Sequence, residues 1–175
     1  MAIHTNEVIP SFDFGAAMAI LPEKRCSICA ETVTQRMKAA GLWDLFDIPP
    51  VPDSGATDEE LAKLESQLGV NLPREYRDFL CGWRYLMISD GRQIWGFDHE
   101  GVSIGSPWVS SEHRPDTRYL VFGDYSGYGD GDQLLFDIDD PGQTVVAYLH
   151  EHGPLYETFA PSFSLALWRM VHENA

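Results

Sequence analysis

Residues 57–83 constrain the fold more tightly than any other stretch of the chain. Thr57, followed by Asp58-Glu59-Glu60, has the spacing of a capping box. The threonine hydroxyl accepts the amide of the third helical residue, and the glutamate there reaches back to the threonine amide. Leu61, Leu64 and Leu68 then recur at helical spacing, and Gly69 supplies a left-handed stop. The turn Val70-Asn71-Leu72 leads to Pro73, suited to the first position of a second helix because its missing N–H is not needed there. In that helix Tyr76, Phe79, Leu80 and Trp83 fall on one face. The stretch predicts a helical hairpin with an apolar seam.

Downstream the periodicity changes. Beyond the turn signal Asp90-Gly91, residues 93–97, 119–122, 133–137 and 144–149 read as short strands rich in β-branched and aromatic side chains. A turn at Asp139-Asp140-Pro141-Gly142 separates the last two. Ser162 is placed to cap a final helix in which Phe163, Leu167 and Val171 form the apolar stripe. Helices, then a meander of strands, then a helix define an α+β class, an antiparallel or mixed sheet with helices packed on it.

Residues 1–56 read as an N-terminal extension and residues 57–175 as the main domain. The extension is expected to hold one helix over residues 23–40, stopped by Gly41, then the apolar cluster Leu42-Trp43-Asp44-Leu45-Phe46. Pro49, Pro50 and Pro52 force extended backbone and make a linker. No run approaches the roughly 18 apolar residues of a membrane helix. The N-terminal apolar run lacks the basic leader of a signal peptide. Three cysteines give no disulfide framework, which points to a reducing cytoplasm. Cys26 and Cys29 form a CxxC pair, the candidate for a zinc or thiol site. It has neither a second ligand pair nor the preceding strand of a redox fold, and two ordinary thiols on a helix are the favoured reading.

The formal net charge is −15, and residues 119–168 contain no Lys or Arg but eight Asp or Glu. Such a chain repels phosphate backbones and anionic lipid, which argues against direct nucleic-acid or membrane-surface binding. The acidity reads either as a solvated surface or as a docking face for a basic partner.

The most distinctive loop, residues 123–132, carries Asp124, Tyr125, Tyr128, Asp130 and Asp132 among four glycines. It is expected to be a glycine-rich strand connection that exposes its aspartates and tyrosines. With Asp137, Asp139 and Asp140 just beyond, these residues are the candidate partner-binding set. The loop partly matches a calcium-binding pattern, but Leu135 stands where the bidentate glutamate belongs and no helices flank it. His150 and His152 share one side of a strand end and read as solvated. No nucleotide-binding loop, dinucleotide fingerprint or nucleophile elbow occurs. No coherent catalytic set emerges, so neither an enzyme nor a cofactor is expected.

Three blocks together resemble the SMI1/KNR4 family of the SUKH superfamily. The first runs from Thr57 and Glu60-Leu61 through Leu68-Gly69-Val70, Leu72-Pro73, Tyr76 and Phe79-Leu80. The second is Leu120-Val121-Phe122-Gly123-Asp124, Gly129-Asp130 and Leu134-Leu135-Phe136-Asp137. The third is Val145-Val146-Ala147-Tyr148, His150-Glu151, then Ala160, Ser162 and Phe163. They span about residues 55–172. One departure is Cys81-Gly82-Trp83-Arg84-Tyr85, where family members commonly carry an Asn-Gly or Gly-Gly turn. The resemblance implies a protein-binding role. Many bacterial members look like immunity proteins that neutralise a cognate toxin, often a nuclease or deaminase, in the cytoplasm; others are regulatory scaffolds. A basic toxin domain is therefore the expected partner. A regulatory scaffold without a toxin is the alternative, and a role centred on Cys26 and Cys29 the second alternative.

Overall fold

Thr57 begins the first helix as its local sequence dictates. The computed structural model describes residues 55–87, 92–98, 103–114, 116–125, 131–150 and 155–172. The expected helix over residues 23–40, its CxxC pair and the proline linker lie outside the described residues. Helix α1, Asp58–Leu68, opens with both halves of the capping box: the Thr57 hydroxyl accepts the Glu60 amide, and the Glu60 carboxylate accepts the Thr57 amide at 2.8 Å. It closes at Gly69 in the left-handed region, φ 68°. Helix α2, Arg74–Gly82, follows Pro73 and buries Tyr76, Phe79 and Leu80. Trp83, expected on the last turn of this helix, instead adopts extended backbone and caps it, with its side chain still buried.

Seven strands follow: β1, Leu86–Met87; β2, Gln93–Ile94; β3, Trp108–Arg114; β4, Thr117–Asp124; β5, Gln133–Asp137; β6, Val145–Leu149; and β7, Leu155–Ala160. They pair in the order β1-β2-β4-β5-β6-β7, with β3 also pairing β4, and every pairing is antiparallel. Of these, β1, β3 and β7 go beyond the strands read from sequence. Strands β2 and β3 share one side of β4, β2 on its end at Gly123 and Asp124, β3 on residues 117–121. Gly123 permits that junction, since a Cβ there would meet the Gln93 carbonyl oxygen at 2.4 Å. Helix α3, Phe163–His172, completes the chain, with the Ser162 hydroxyl accepting the Leu165 amide.

One face of the sheet carries the helices. Leu120, Phe122, Leu134, Phe136, Val145 and Ala147 from the strands meet Leu61, Tyr76, Phe79 and Leu80 from the hairpin and Phe163, Ala166, Leu167 and Met170 from α3. At its centre Phe122 stacks on Phe136 with centroids 4.3 Å apart, and Tyr76 lies within 6 Å of Phe122, Phe136 and Phe163. Each ring of this size buries roughly 150–250 Å². The fully buried Tyr76 hydroxyl donates to the Trp95 carbonyl at 2.6 Å. Burial pushes that phenol far above its usual pKa, so it stays a neutral donor.

Polar bridges lock the helices to one another. Glu75 of α2 accepts both the amide and the hydroxyl of Ser164, satisfying an orphan donor in the first turn of α3. Gln143, in the turn between β5 and β6, accepts the amide of Arg74 at the start of α2. Arg84 pairs with Glu60, donates to the Asp98 and Gly55 carbonyls, and lies over the Phe97 ring. The sequence Cys81–Tyr85 that departs from the family pattern is thus built into the body, Trp83 in the core and Arg84 as a clamp. Ala56 is also in the core, its amide donating to the Leu80 carbonyl at 2.8 Å.

The Arg84 guanidinium, with help from the Thr57 donors, holds the Glu60 carboxyl at about 2, against an ordinary 4.5. A depressed carboxylate stabilises the fold fully above its unfolded pKa and loses that contribution as pH falls through its folded one. The stability gap between the native protein and Glu60→Gln, from urea midpoints, should be present at neutral pH and close as pH falls from 4.5 towards 2. Tyr76→Phe strands the buried Trp95 carbonyl and should cost about 1–3 kcal/mol in the same assay.

Candidate partner-binding surface

The strand connections set where each candidate acid can point. Residues 126–130, and with them Tyr128 and Asp130, lie outside the described residues. The flanks of their loop are described, and they turn inward. Tyr125 is 4% exposed, its ring edge-on to Phe159 at 4.9 Å, and its amide donates to the Asp132 carbonyl. Asp132 is 1% exposed, and one of its carboxylate oxygens accepts the His150 amide at 2.6 Å. The expectation that this loop displays its tyrosines and aspartates is corrected for these two. Tyr125 is drawn into the core against Phe159 of β7, and Asp132 ties the start of β5 to the end of β6. Gly131 between them has φ 99°, while Gly123 serves the close approach of β2 rather than a positive φ.

The other candidates divide between turn-building and exposure. Asp140 accepts the amides of Gly142 and Thr144, and with the Thr144 hydroxyl these bonds hold its carboxyl below the usual range. Asp137 accepts the Asp139 amide at 3.0 Å. These two carboxylates shape the β5–β6 connection in the manner of Asx turns. Asp139 is exposed and pairs with Arg118 at 3.2 Å, with both side chains more than half open to solvent, so the pair is worth little. Asp124 is half-buried. Burial raises its carboxyl pKa, against which a hydrogen bond from the Trp95 side chain pulls.

The register brings Asp124 of the candidate set together with residues that the sequence reading did not place in it. Gln93, Asp124, Gln133, Tyr148 and Tyr156 are successive cross-strand partners from β2 to β7. Val121, Leu135, Val146 and Thr158 form the next row. Both rows lie on the face opposite the helices. Under the β1–β4 half, Tyr85, Trp95, Ile104, Tyr119, Val121 and Leu135 make a second buried cluster. Over β6 and β7 the face opens: Val146, Tyr148 and Tyr156 are half-buried and Thr158 is exposed. The Tyr119 and Tyr156 rings stack 5.7 Å apart from strands three positions apart in the sheet, and Tyr148 lies 5.2 Å from Tyr156. Period-two alternation in Val145-Val146-Ala147-Tyr148-Leu149 was the signal for half of this patch. Its other half required the pairing with β7.

Among the described residues no group of three or more His, Cys, Asp or Glu is arranged to hold a metal ion, and no helix is long and apolar enough to cross a membrane. Exposed His150 sits beside Gly131, and its ring is 6.3 Å from that of Tyr148.

Among the described residues the domain has two layers, with helices on one sheet face and a partly open second face, and several of its acids hold turns. The chain belongs to the SMI1 / KNR4 family (SUKH-1), whose model matches residues 55–167. No curated protein and no solved structure gives a match.

Asp132→Ala removes the acceptor of the His150 amide in a buried setting. It should lower the stability of the free protein by about 1–3 kcal/mol and speed amide exchange at His150. A residue serving only as a partner contact would leave both unchanged.

Proposed function

We propose that this chain is an immunity protein, a non-catalytic module that binds and neutralises a cognate toxin domain of the nuclease or deaminase type in the cytoplasm. Its family membership supports a protein-binding role, and one observation carries the reading further. From Tyr119 of β4 through β5, β6, β7 and into α3 as far as Trp168, the chain contains no lysine or arginine. Strands β5, β6 and β7 thus hold no lysine or arginine, and Arg118 at the start of β4 marks the border of this region. A toxin that grips nucleic acid must itself carry positive charge to hold phosphate. An acidic partner of matching extent is steered onto that surface and covers it.

In this reading Asp139, the exposed acid of the candidate set, with half-buried Asp124 and Asp137, contributes long-range attraction. Tyr128 and Asp130, which lie outside the described residues, stay in the proposed set on the sequence alone. Residues 1–56 form the extension and 57–175 the binding domain.

The test is association with the toxin domain encoded beside this chain. Purified together, the two should form a complex that abolishes toxin activity. The association rate should fall by about tenfold or more between low and high salt, since screened charges no longer steer the encounter. A neighbouring gene without a toxin domain, or a complex whose association ignores salt, overturns the proposal.

A further inference from the structure

We infer that the open half of the sheet face opposite α1, α2 and α3, built on Tyr148, Tyr156 and Thr158, is the docking surface, and that it receives an arginine-bearing surface of a basic protein. The inference deepens the toxin-neutralising reading and rests on it for the identity of the partner. The surface itself stands on geometry.

Three observations converge on this patch. First, its side chains are the kind that anchor an interface. Tyr148 and Tyr156 are half-buried, packed 5.2 Å apart, and backed by Tyr119, which is itself buried and stacked on Tyr156. A rigid, pre-packed tyrosine pair offers large contact area and loses little rotamer freedom on binding. Second, the strands that carry the patch, β6 and β7, hold no Lys or Arg, and Arg118 at the start of β4 is paired with Asp139. Asp137 stands directly opposite Tyr119 across the β4–β5 ladder, and Asp124 shares the cross-strand row of Tyr148 and Tyr156. A guanidinium suits this surroundings, stacking its plane on a tyrosine face while its N–H groups reach carboxylates. Third, with no Lys or Arg in residues 119–168, strands β5–β7 lack the phosphate contacts that a tyrosine-lined sheet needs to hold single-stranded nucleic acid.

The loop of residues 123–132 offers less. Its described tyrosine and one of its described aspartates are buried in the body. The helix face offers less again, because α1, α2 and α3 already cover it.

Thr158→Lys tests the patch without disturbing the core, because Thr158 is exposed on the edge strand β7, opposite Val146. Ser66→Lys, exposed on α1, adds the same charge on the helix side. Against the toxin domain encoded beside this chain, Thr158→Lys should weaken binding by about tenfold or more, while Ser66→Lys stays within about twofold. Both should keep the parent thermal midpoint. Binding that both variants leave equally intact overturns this surface and leaves the immunity reading standing.

A second arm does not depend on the toxin. An oligoarginine peptide titrated at low salt should shift the NMR signals of Tyr148, Tyr156 and Thr158 before those of α1 and α2, and Thr158→Lys should suppress these shifts. Shifts that appear there with no toxin complex would sink the immunity reading but support the surface. Shifts elsewhere, no shifts at all, or a tighter response to a single-stranded oligonucleotide than to the peptide would overturn the surface.

Discussion

The hydroxyl of Tyr76, donating to the backbone of Trp95 from inside the aromatic core, is the contact on which both faces of this protein depend. Its ring wedges α2 against Phe122 and Phe136 of the sheet and Phe163 of α3. Its hydroxyl fixes the carbonyl of a residue whose own side chain lies on the opposite side of the sheet. There Trp95 packs with Tyr85, Ile104 and Tyr119, and donates to Asp124. A single buried phenol thereby couples the helix layer to the second cluster. An apolar ring alone would fill the same space but leave the Trp95 carbonyl unpaired in the core.

Around that centre the polar groups are used mainly to join elements. Glu60 serves its own capping box and the Arg84 clamp. Glu75 finishes the first turn of α3, and Asp132 and Asp140 hold strand connections. Much of the acidity noticed in the sequence is therefore structural at its point of origin. Its long-range field survives, because hydrogen bonds to amides do not neutralise a carboxylate. This reconciles two readings of an acidic chain that look opposed, scaffolding and attraction, since one side chain supplies both.

The legibility of the sequence followed how local each element's determinants are. Helices α1 and α2 were readable because a capping box, a 3.6-residue period and a glycine stop all lie within one short stretch. Strands β4 and β5 were readable because central strands bury both faces and so need near-continuous apolar runs, and β6 because it buries one face and half-buries the other. Strands β3 and β7 were not. Each pairs on one side with a single strand, and runs such as Leu155-Tyr156-Glu157-Thr158 mix exposed and half-buried positions with no clear alternation. Trp83 fits the helical period, yet it leaves the helix, since its neighbour Arg84 must reach Glu60 and the Asp98 carbonyl.

By itself the sequence determined the family, the helical hairpin, the α+β class and the net negative charge. These follow from short-range spacing and from counting. Only the tertiary structure decided which acids and tyrosines face outward. Tyr125 and Asp132 sit in the most conspicuous loop yet are buried, because Tyr125 packs on Phe159 and Asp132 bonds to the end of β6. Tyr119, Tyr148 and Tyr156 lie in three different strands and are inconspicuous in the chain. Antiparallel pairing sets them on one face, where a period-two side-chain geometry leaves no freedom to point elsewhere.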